Sequence, residues 1–220
     1  MDKKTIIANW KSYKTKKEAE EFLKTFSENI LRLSFENKEI VIAPSFQLLE
    51  TCRNFIEKYN LPIKLAAQDV SQFPEGAYTG AVNAKQISEF CEMVIIGHSE
   101  RREHFREDDA FFNGKVKQAG DSNLEVVFCI QNEGQKIPNR VEYVAYEPPT
   151  AIGTGKPDDP FHIEKVFSEL KEKFSGKVLY GGSVETENVR NFIHIDSCSG
   201  LLVGGASLEI NSFISLLSQW

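Results

Sequence analysis

Short apolar runs alternate along the chain with polar or glycine-containing turns and with stretches of helical periodicity. Eight runs suit strands: 5–9, 39–43, 64–67, 93–96, 125–129, 142–146, 177–180 and 201–203. They are continuously apolar, as in strands of a parallel sheet covered on both faces. After the first run, Thr15-Lys16-Lys17-Glu18 reads as a capping box, and Ala19, Phe22, Leu23, Phe26, Ile30 and Leu33 recur at helical spacing as one buried stripe. After the sixth, Asp159 followed by Pro160 reads as an N-cap and a first-turn proline. Ile163, Val166, Phe167, Leu170 and Phe174 form the stripe there, and Gly176 is a helix stop. The helical patterns after runs two, three, four, seven and eight are less regular.

No low-complexity or Pro/Gly-rich divider splits the chain, so residues 1–220 read as one domain. Eight β–α units in one domain predict an α/β fold, a single closed (β/α)8 barrel. Such barrels carry their chemistry on the loops after the C-terminal ends of the strands. One connection is odd. Only residues 130–141 join the fifth run to the sixth, and they include Gly134 and Pro138. A crossover with its helix needs roughly 10–12 residues at least. This shortened connection between strands 5 and 6 holds one turn of helix at most, which predicts a barrel wall lacking its usual cover.

Composition narrows the classes. With 41% hydrophobic and 26% charged residues the chain is an ordinary globular one. Its net charge of −6 and the absence of a long basic run argue against nucleic acid as a partner. A site for an anion must therefore be locally cationic against an unfavourable global field. No 18-residue apolar stretch exists to span a membrane, and the N-terminus lacks a secretory pattern, so a cytoplasmic place is expected. Cys52, Cys91, Cys129 and Cys198 form no Cys-x-x-Cys pair and read as reduced, buried thiols.

The candidate chemistry gathers at strand ends. Asn9 and Lys11 follow strand 1; taken alone, they are as well explained by a turn with a solvated lysine. Gly97-His98-Ser99-Glu100-Arg101-Arg102 follows strand 4. Ser99 and Glu100 suit a helix start, and a histidine beside helix N–H groups has its charged form disfavoured. A structural histidine fits equally well. Glu147 ends strand 6 and reads as either a general base or a solvated loop acid. The lid-length loop Ala151-Ile152-Gly153-Thr154-Gly155-Lys156 follows it, with backbone N–H groups able to grip a phosphate. Gly181-Gly182-Ser183 and Gly204-Gly205-Ala206-Ser207 end strands 7 and 8, where such barrels frequently bind phosphate. A cation, a histidine, a carboxylate and a phosphate cradle together suit proton transfer beside the carbonyl of a small sugar phosphate.

These segments, with Ala67-Gln68-Asp69-Val70-Ser71 and Gly76-Ala77-Tyr78-Thr79-Gly80 after strand 3, closely resemble the triosephosphate isomerase family, in the family's order from first strand to last helix. The resemblance implies an aldose–ketose isomerase of glycolysis and gluconeogenesis acting on a triose phosphate, with no cofactor and no metal. It implies Glu147 as the base, a neutral His98 polarising the carbonyl, Lys11 offsetting enediolate and phosphate charge, and Asn9 positioning substrate. Gly153, Ser183, Gly204 and Gly205 would hold the phosphate, and Glu100 would lie beside the site. The resemblance also implies a homodimer through loop 68–81, with a homotetramer as the alternative and with Thr79 reaching the neighbouring subunit's site. A pentose-phosphate epimerase would share the cradle but not the Lys11, His98 and Glu147 set. A non-catalytic phosphate binder would be favoured by loss of Glu147 or Lys11, and both are present.

The chain departs from the family in four places. Pro148-Pro149-Thr150 stands where relatives usually carry Pro-Val-Trp, and the second proline restricts the residue before it, which predicts a stiffer lid. Cys129-Ile130-Gln131-Asn132 replaces the usual Cys-Ile-Gly-Glu. Ala81 stands where an acid that helps pair subunits is usual. The trimmed connection after strand 5 predicts an apolar patch that a further subunit would cover, with Phe111 and Phe112 as its contacts.

Overall fold

The computed structural model describes residues 3–30 and 36–220. Eight strands form one closed barrel in chain order, every neighbouring pair parallel: β1 (Lys4–Asn9), β2 (Lys38–Ala43), β3 (Ile63–Ala67), β4 (Met93–Ile96), β5 (Glu125–Ile130), β6 (Tyr143–Tyr146), β7 (Lys177–Tyr180) and β8 (Gly200–Val203). All eight expected runs are strands, their ends shifted by at most one residue. Both faces are apolar because both are buried. Ile7, Val41, Met93, Ile95, Val127, Ala145, Leu179 and Leu202 fill the barrel interior. Ile6, Ala8, Ile40, Ile42, Val126, Phe128 and Val144 face outward into the helices. Barrel closure between β8 and β1 requires a glycine: a Cβ on Gly200 would lie 1.9 Å from the Thr5 carbonyl oxygen.

Outside the barrel lie α1 (Lys16–Asn29), α2 (Leu49–Lys58), α3 (Ala84–Ser88), α4 (Ser99–Phe105), α5 (Asp109–Asp121), α6 (Pro160–Lys173), α7 (Arg190–Ile193) and α8 (Ile210–Gln219). The capping box at α1 forms as expected, with Thr15 N–H donating to Glu18 Oε2 at 2.6 Å and Glu18 N–H donating to Thr15 Oγ1 at 3.4 Å. Of its stripe, Ala19, Phe22, Leu23 and Phe26 are buried. Leu33 lies outside the described residues. Asp159 caps α6 by accepting from Phe161 N–H at 2.8 Å, with Pro160 in the first turn.

The alternation of side chains places the site. In β1, β6, β7 and β8 the inward residues are Ile7, Ala145, Leu179 and Leu202. Two positions further on, with the same parity, come Asn9, Glu147, Gly181 and Gly204, so these belong to the inner mouth.

The connection from β5 to β6 contains no helix, as its length dictated. The expected bare wall is corrected by the structure. Val126, Phe128 and Ile130 of β5 and Val144 and Tyr146 of β6 are at most 3% exposed in this single chain. Cover comes from α5, where Phe112 meets the Phe128 ring edge-on at 5.6 Å, and from α6, where Phe167 meets Tyr146 at 6.3 Å. Ile137 and Val141 of the short connection pack against the same core. Phe112 is thus an internal contact, 1% exposed, and unavailable to another subunit. Phe112→Ala is expected to lower stability by about 3–5 kcal/mol, because it opens a cavity over β5. Urea unfolding of the two proteins checks this; a loss under about 1 kcal/mol would mean that β5 is covered from elsewhere.

Candidate active site

Each mouth residue is held by local chemistry. After β1, fully buried Trp10 packs edge-on to Phe22 at 4.9 Å and pins the turn. Lys11 then adopts a left-handed backbone at φ 51°. The Asn9 side chain accepts from Lys11 N–H at 3.0 Å, and the Gln68 amide donates to the Lys11 and Ala43 carbonyls, both at 2.8 Å. The Lys11 ammonium lies 2.5 Å from Glu100 Oε1.

After β4, Gly97 takes φ +75°, and a Cβ there would lie 2.9 Å from the Arg102 guanidinium. Arg102 clamps the mouth by donating to the Gly97 carbonyl at 2.7 Å and the Cys129 carbonyl at 2.8 Å. The helix cap is His98 itself, not Ser99 or Glu100: its Nδ1 accepts from Glu100 N–H at 3.3 Å. An accepting Nδ1 puts the ring proton on Nε2 in the neutral imidazole. Nε2 lies 2.9 Å from Glu147 Oε1, while Glu147 Oε2 accepts from Ser99 N–H at 2.8 Å. Glu147 is 1% exposed and His98 7%.

This pair perturbs both titrations. Burial pushes the Glu147 carboxyl up, but His98 and the Ser99 amide more than offset it and hold the group below its ordinary 4.5. Burial likewise pushes His98 down, and the Glu147 carboxylate reverses this, leaving the imidazole above its ordinary 6.5. That direction belongs to the arrangement in which the two groups touch. With Glu147 turned away, burial remains and the neutral ring is favoured.

The loop after β6 folds over the mouth. Ala151 N–H donates to the Pro148 carbonyl at 2.9 Å, and Gly153 and Gly155 take φ +68° and +70° with nothing within 4 Å of a Cβ. Two bonds tie it to the end of β7 and the turn beyond: Ser183 Oγ donates to the Ala151 carbonyl, and Asp158 N–H donates to Tyr180 Oη at 2.8 Å. Gly182 permits this approach, since a Cβ would lie 2.6 Å from that phenol oxygen.

All eight residues expected from the sequence, Asn9, Lys11, His98, Glu147, Gly153, Ser183, Gly204 and Gly205, line one cavity of about 230 Å³. A larger cavity of about 980 Å³ opens at the opposite end of the barrel near Lys4, Glu125, Tyr143 and Lys177, and holds none of them. Sequence reasoning missed the Ser99 amide as the dock for Glu147. It also missed Glu185 on the cavity wall. Both depend on how a turn folds back over the mouth, and neither leaves a pattern in the chain.

Comparison with known proteins places this geometry in context. Residues 4–220 match the family model described as Triosephosphate isomerase. The triosephosphate isomerase of Dictyoglomus turgidum is 38% identical, covering 97% of this chain and 98% of its own. That of Mesomycoplasma hyorhinis is 35% identical, with 99% of each chain covered. That of Dictyoglomus thermophilum is 37% identical across the whole of both chains.

Because the folded-state pKa of Glu147 is depressed, its stabilising contribution is fully present above pH 4.5 and is lost as the pH falls through the folded value. His98→Asn removes the opposing charge and leaves the burial. The Glu147 carboxyl is then expected to titrate higher than in the parent, as read by carbon-13 NMR of labelled glutamate. A titration unmoved by the substitution would separate the two groups electrostatically.

Proposed function

Since this chain belongs to the triosephosphate isomerase family and interconverts dihydroxyacetone phosphate and D-glyceraldehyde 3-phosphate, we propose that Lys11, His98 and Glu147 carry the proton transfer between them. Glu147 takes a proton from C1 of dihydroxyacetone phosphate, and the electron pair moves toward the C2 carbonyl oxygen to form an enediolate. His98 donates its Nε2–H to that oxygen and exchanges protons between the two oxygens. Glu147 then returns its proton to C2, giving the aldehyde. The Lys11 ammonium offsets the charge that develops, and Asn9 positions the substrate. Backbone N–H groups of Gly153, Ser183, Gly204 and Gly205 hold the phosphate. Triosephosphate isomerases are themselves a standard example of this division of roles, which therefore follows the family as well as the geometry.

What supports the reading most is that the three groups share one small cavity with two glycine turns. In the free enzyme Glu147 rests on His98 and Ser99 N–H. Substrate must break the contact with His98, which frees Nε2–H for the carbonyl. The carboxylate also loses the charge that holds its pKa down, so it becomes a better base where it is needed. Closure of the loop after β6 dries the pocket and hinders loss of phosphate from the enediolate. The steps are proton transfers only, and no cofactor is called for.

The protein is proposed to act in the cytoplasm, in glycolysis and gluconeogenesis, as a homodimer through loop 68–81. Among the described residues, no helix is long and apolar enough to cross a membrane. The loop after β3 carries Phe73 and Tyr78 stacked at 4.4 Å, each 42% exposed, and the loops after β1 and β2 add exposed Tyr13 and Phe46. With Ala81 in place of an acid, Arg101 is satisfied inside its own chain by Asp69 at 3.0 Å and Glu107 at 2.6 Å. Apolar contact rather than an ion pair to that arginine would then hold the dimer. The covered wall at β5 and β6 removes the motive for a homotetramer.

A coupled assay on the purified protein is expected to show turnover of glyceraldehyde 3-phosphate that a chelator does not change. Glu147→Asp, which draws the carboxylate back by about 1 Å, is expected to lose roughly 10²-fold in kcat/KM. An inactive parent, or a variant as fast as the parent, would remove the assignment of the base. Sedimentation at micromolar concentration is expected to give a dimer; monomer alone would refute the loop 68–81 interface.

A further inference from the structure

The cavity meant for a dianion is poor in positive charge. It is lined by one ammonium, Lys11, and by two carboxylates, Glu147 and Glu185. Lys11 is already paired with a third, Glu100, at 2.5 Å. Glu147 has partners in His98 and the Ser99 amide. Glu185 is different. It sits in the turn after β7, its N–H donating to Asn188 Oδ1 at 2.9 Å, while the Asn188 amide donates to the Ser183 carbonyl at 2.9 Å. This double clamp fixes where the side chain starts. The carboxylate leans toward the turn after β8: Oε1 lies 3.8 Å from where a Cβ on Gly205 would be. Among the described residues it has no ion pair. Burial, and then Glu187, push its carboxyl up, as expected for an acid facing no cation.

Resting on the reading that the amides of Gly153, Ser183, Gly204 and Gly205 take the phosphate, we infer that Glu185 sets the affinity of the phosphate end, an uncompensated carboxylate that weakens the hold of any small dianion. The phosphate carries the same charge in substrate, enediolate and product, so the repulsion acts on all three alike. It therefore raises KM and speeds release without raising the barrier between bound states. Net affinity is left to the backbone amides and the closing loop, which only a ligand of the right shape can engage fully.

The test is a charge series read by direct binding of inorganic phosphate, using titration calorimetry on the whole protein. A dianion within a few ångströms of one unit charge near the surface gains or loses roughly three- to tenfold in affinity. Glu185→Gln is expected to lower the phosphate Kd by that factor, and Glu185→Lys by a similar factor again. Glu185→Asp keeps the charge and should stay near the parent. The differences should narrow at high salt, and KM for triose phosphate should fall in step with Kd. A Kd that is equal across the series, or weaker in Glu185→Gln, would overturn the inference. Because phosphate binding is read without turnover, that failure is distinct from failure of the isomerase reading, which the coupled assay decides.

Discussion

A carboxylate taken almost entirely out of water is the constraint around which this molecule is arranged. Isolated, the Glu147 charge would be neutralised by its own burial. It stays a carboxylate because an imidazole N–H reaches one oxygen at 2.9 Å and a helix-start amide reaches the other at 2.8 Å. Both donors come from the same turn, and that turn exists because Gly97 takes a left-handed exit from β4 and Arg102 ties the exit to β5. One glycine and one arginine, neither lining the cavity, thus bear on whether Glu147 is charged. By the proposed mechanism the same contacts store basicity: once substrate separates Glu147 from His98, burial is opposed only by Ser99.

The charge pattern around the cavity follows from a protein that is acidic overall. With a net charge of −6, little long-range attraction draws a phosphate in. Recognition has to be local and directional, and on the proposed reading backbone N–H groups supply it without adding mobile charge. Glycine at the ends of β7 and β8 lets those amides approach. The loop after β6, bonded to Tyr180 at the end of β7 and to Ser183 in the turn beyond it, brings Gly153 onto the cavity wall.

The trimmed connection between β5 and β6 shows how a barrel sheds a helix without exposing its wall. Side chains from α5 and α6 lean in from either side, and Ile137 and Val141 of the connection close the remaining gap. A missing element leaves a patch only if its neighbours cannot spread, and here their aromatic residues are large enough to do so.

The barrel was legible in the chain because continuous apolar runs, spaced by helical stripes, have few other ways to bury both faces of a strand. The eight expected cavity residues were legible too, since turn glycines and lone polar residues at strand ends are local signals, and strand parity sends Asn9, Glu147 and Gly204 to the inner mouth. Tertiary structure alone decided the rest. That Ser99 offers its amide to Glu147 and that Glu185 turns toward Gly205 each depend on distances between loops far apart in sequence, while the capping of α4 by His98 rather than Ser99 is local but rests on the backbone that the β4 exit imposes. The same holds for the cover over β5, where Phe112 is buried although its neighbour Phe111 is exposed. Periodicity along a chain records which faces need burial; it does not record which neighbour will supply it, because that is settled only when the barrel closes and sets the elements side by side.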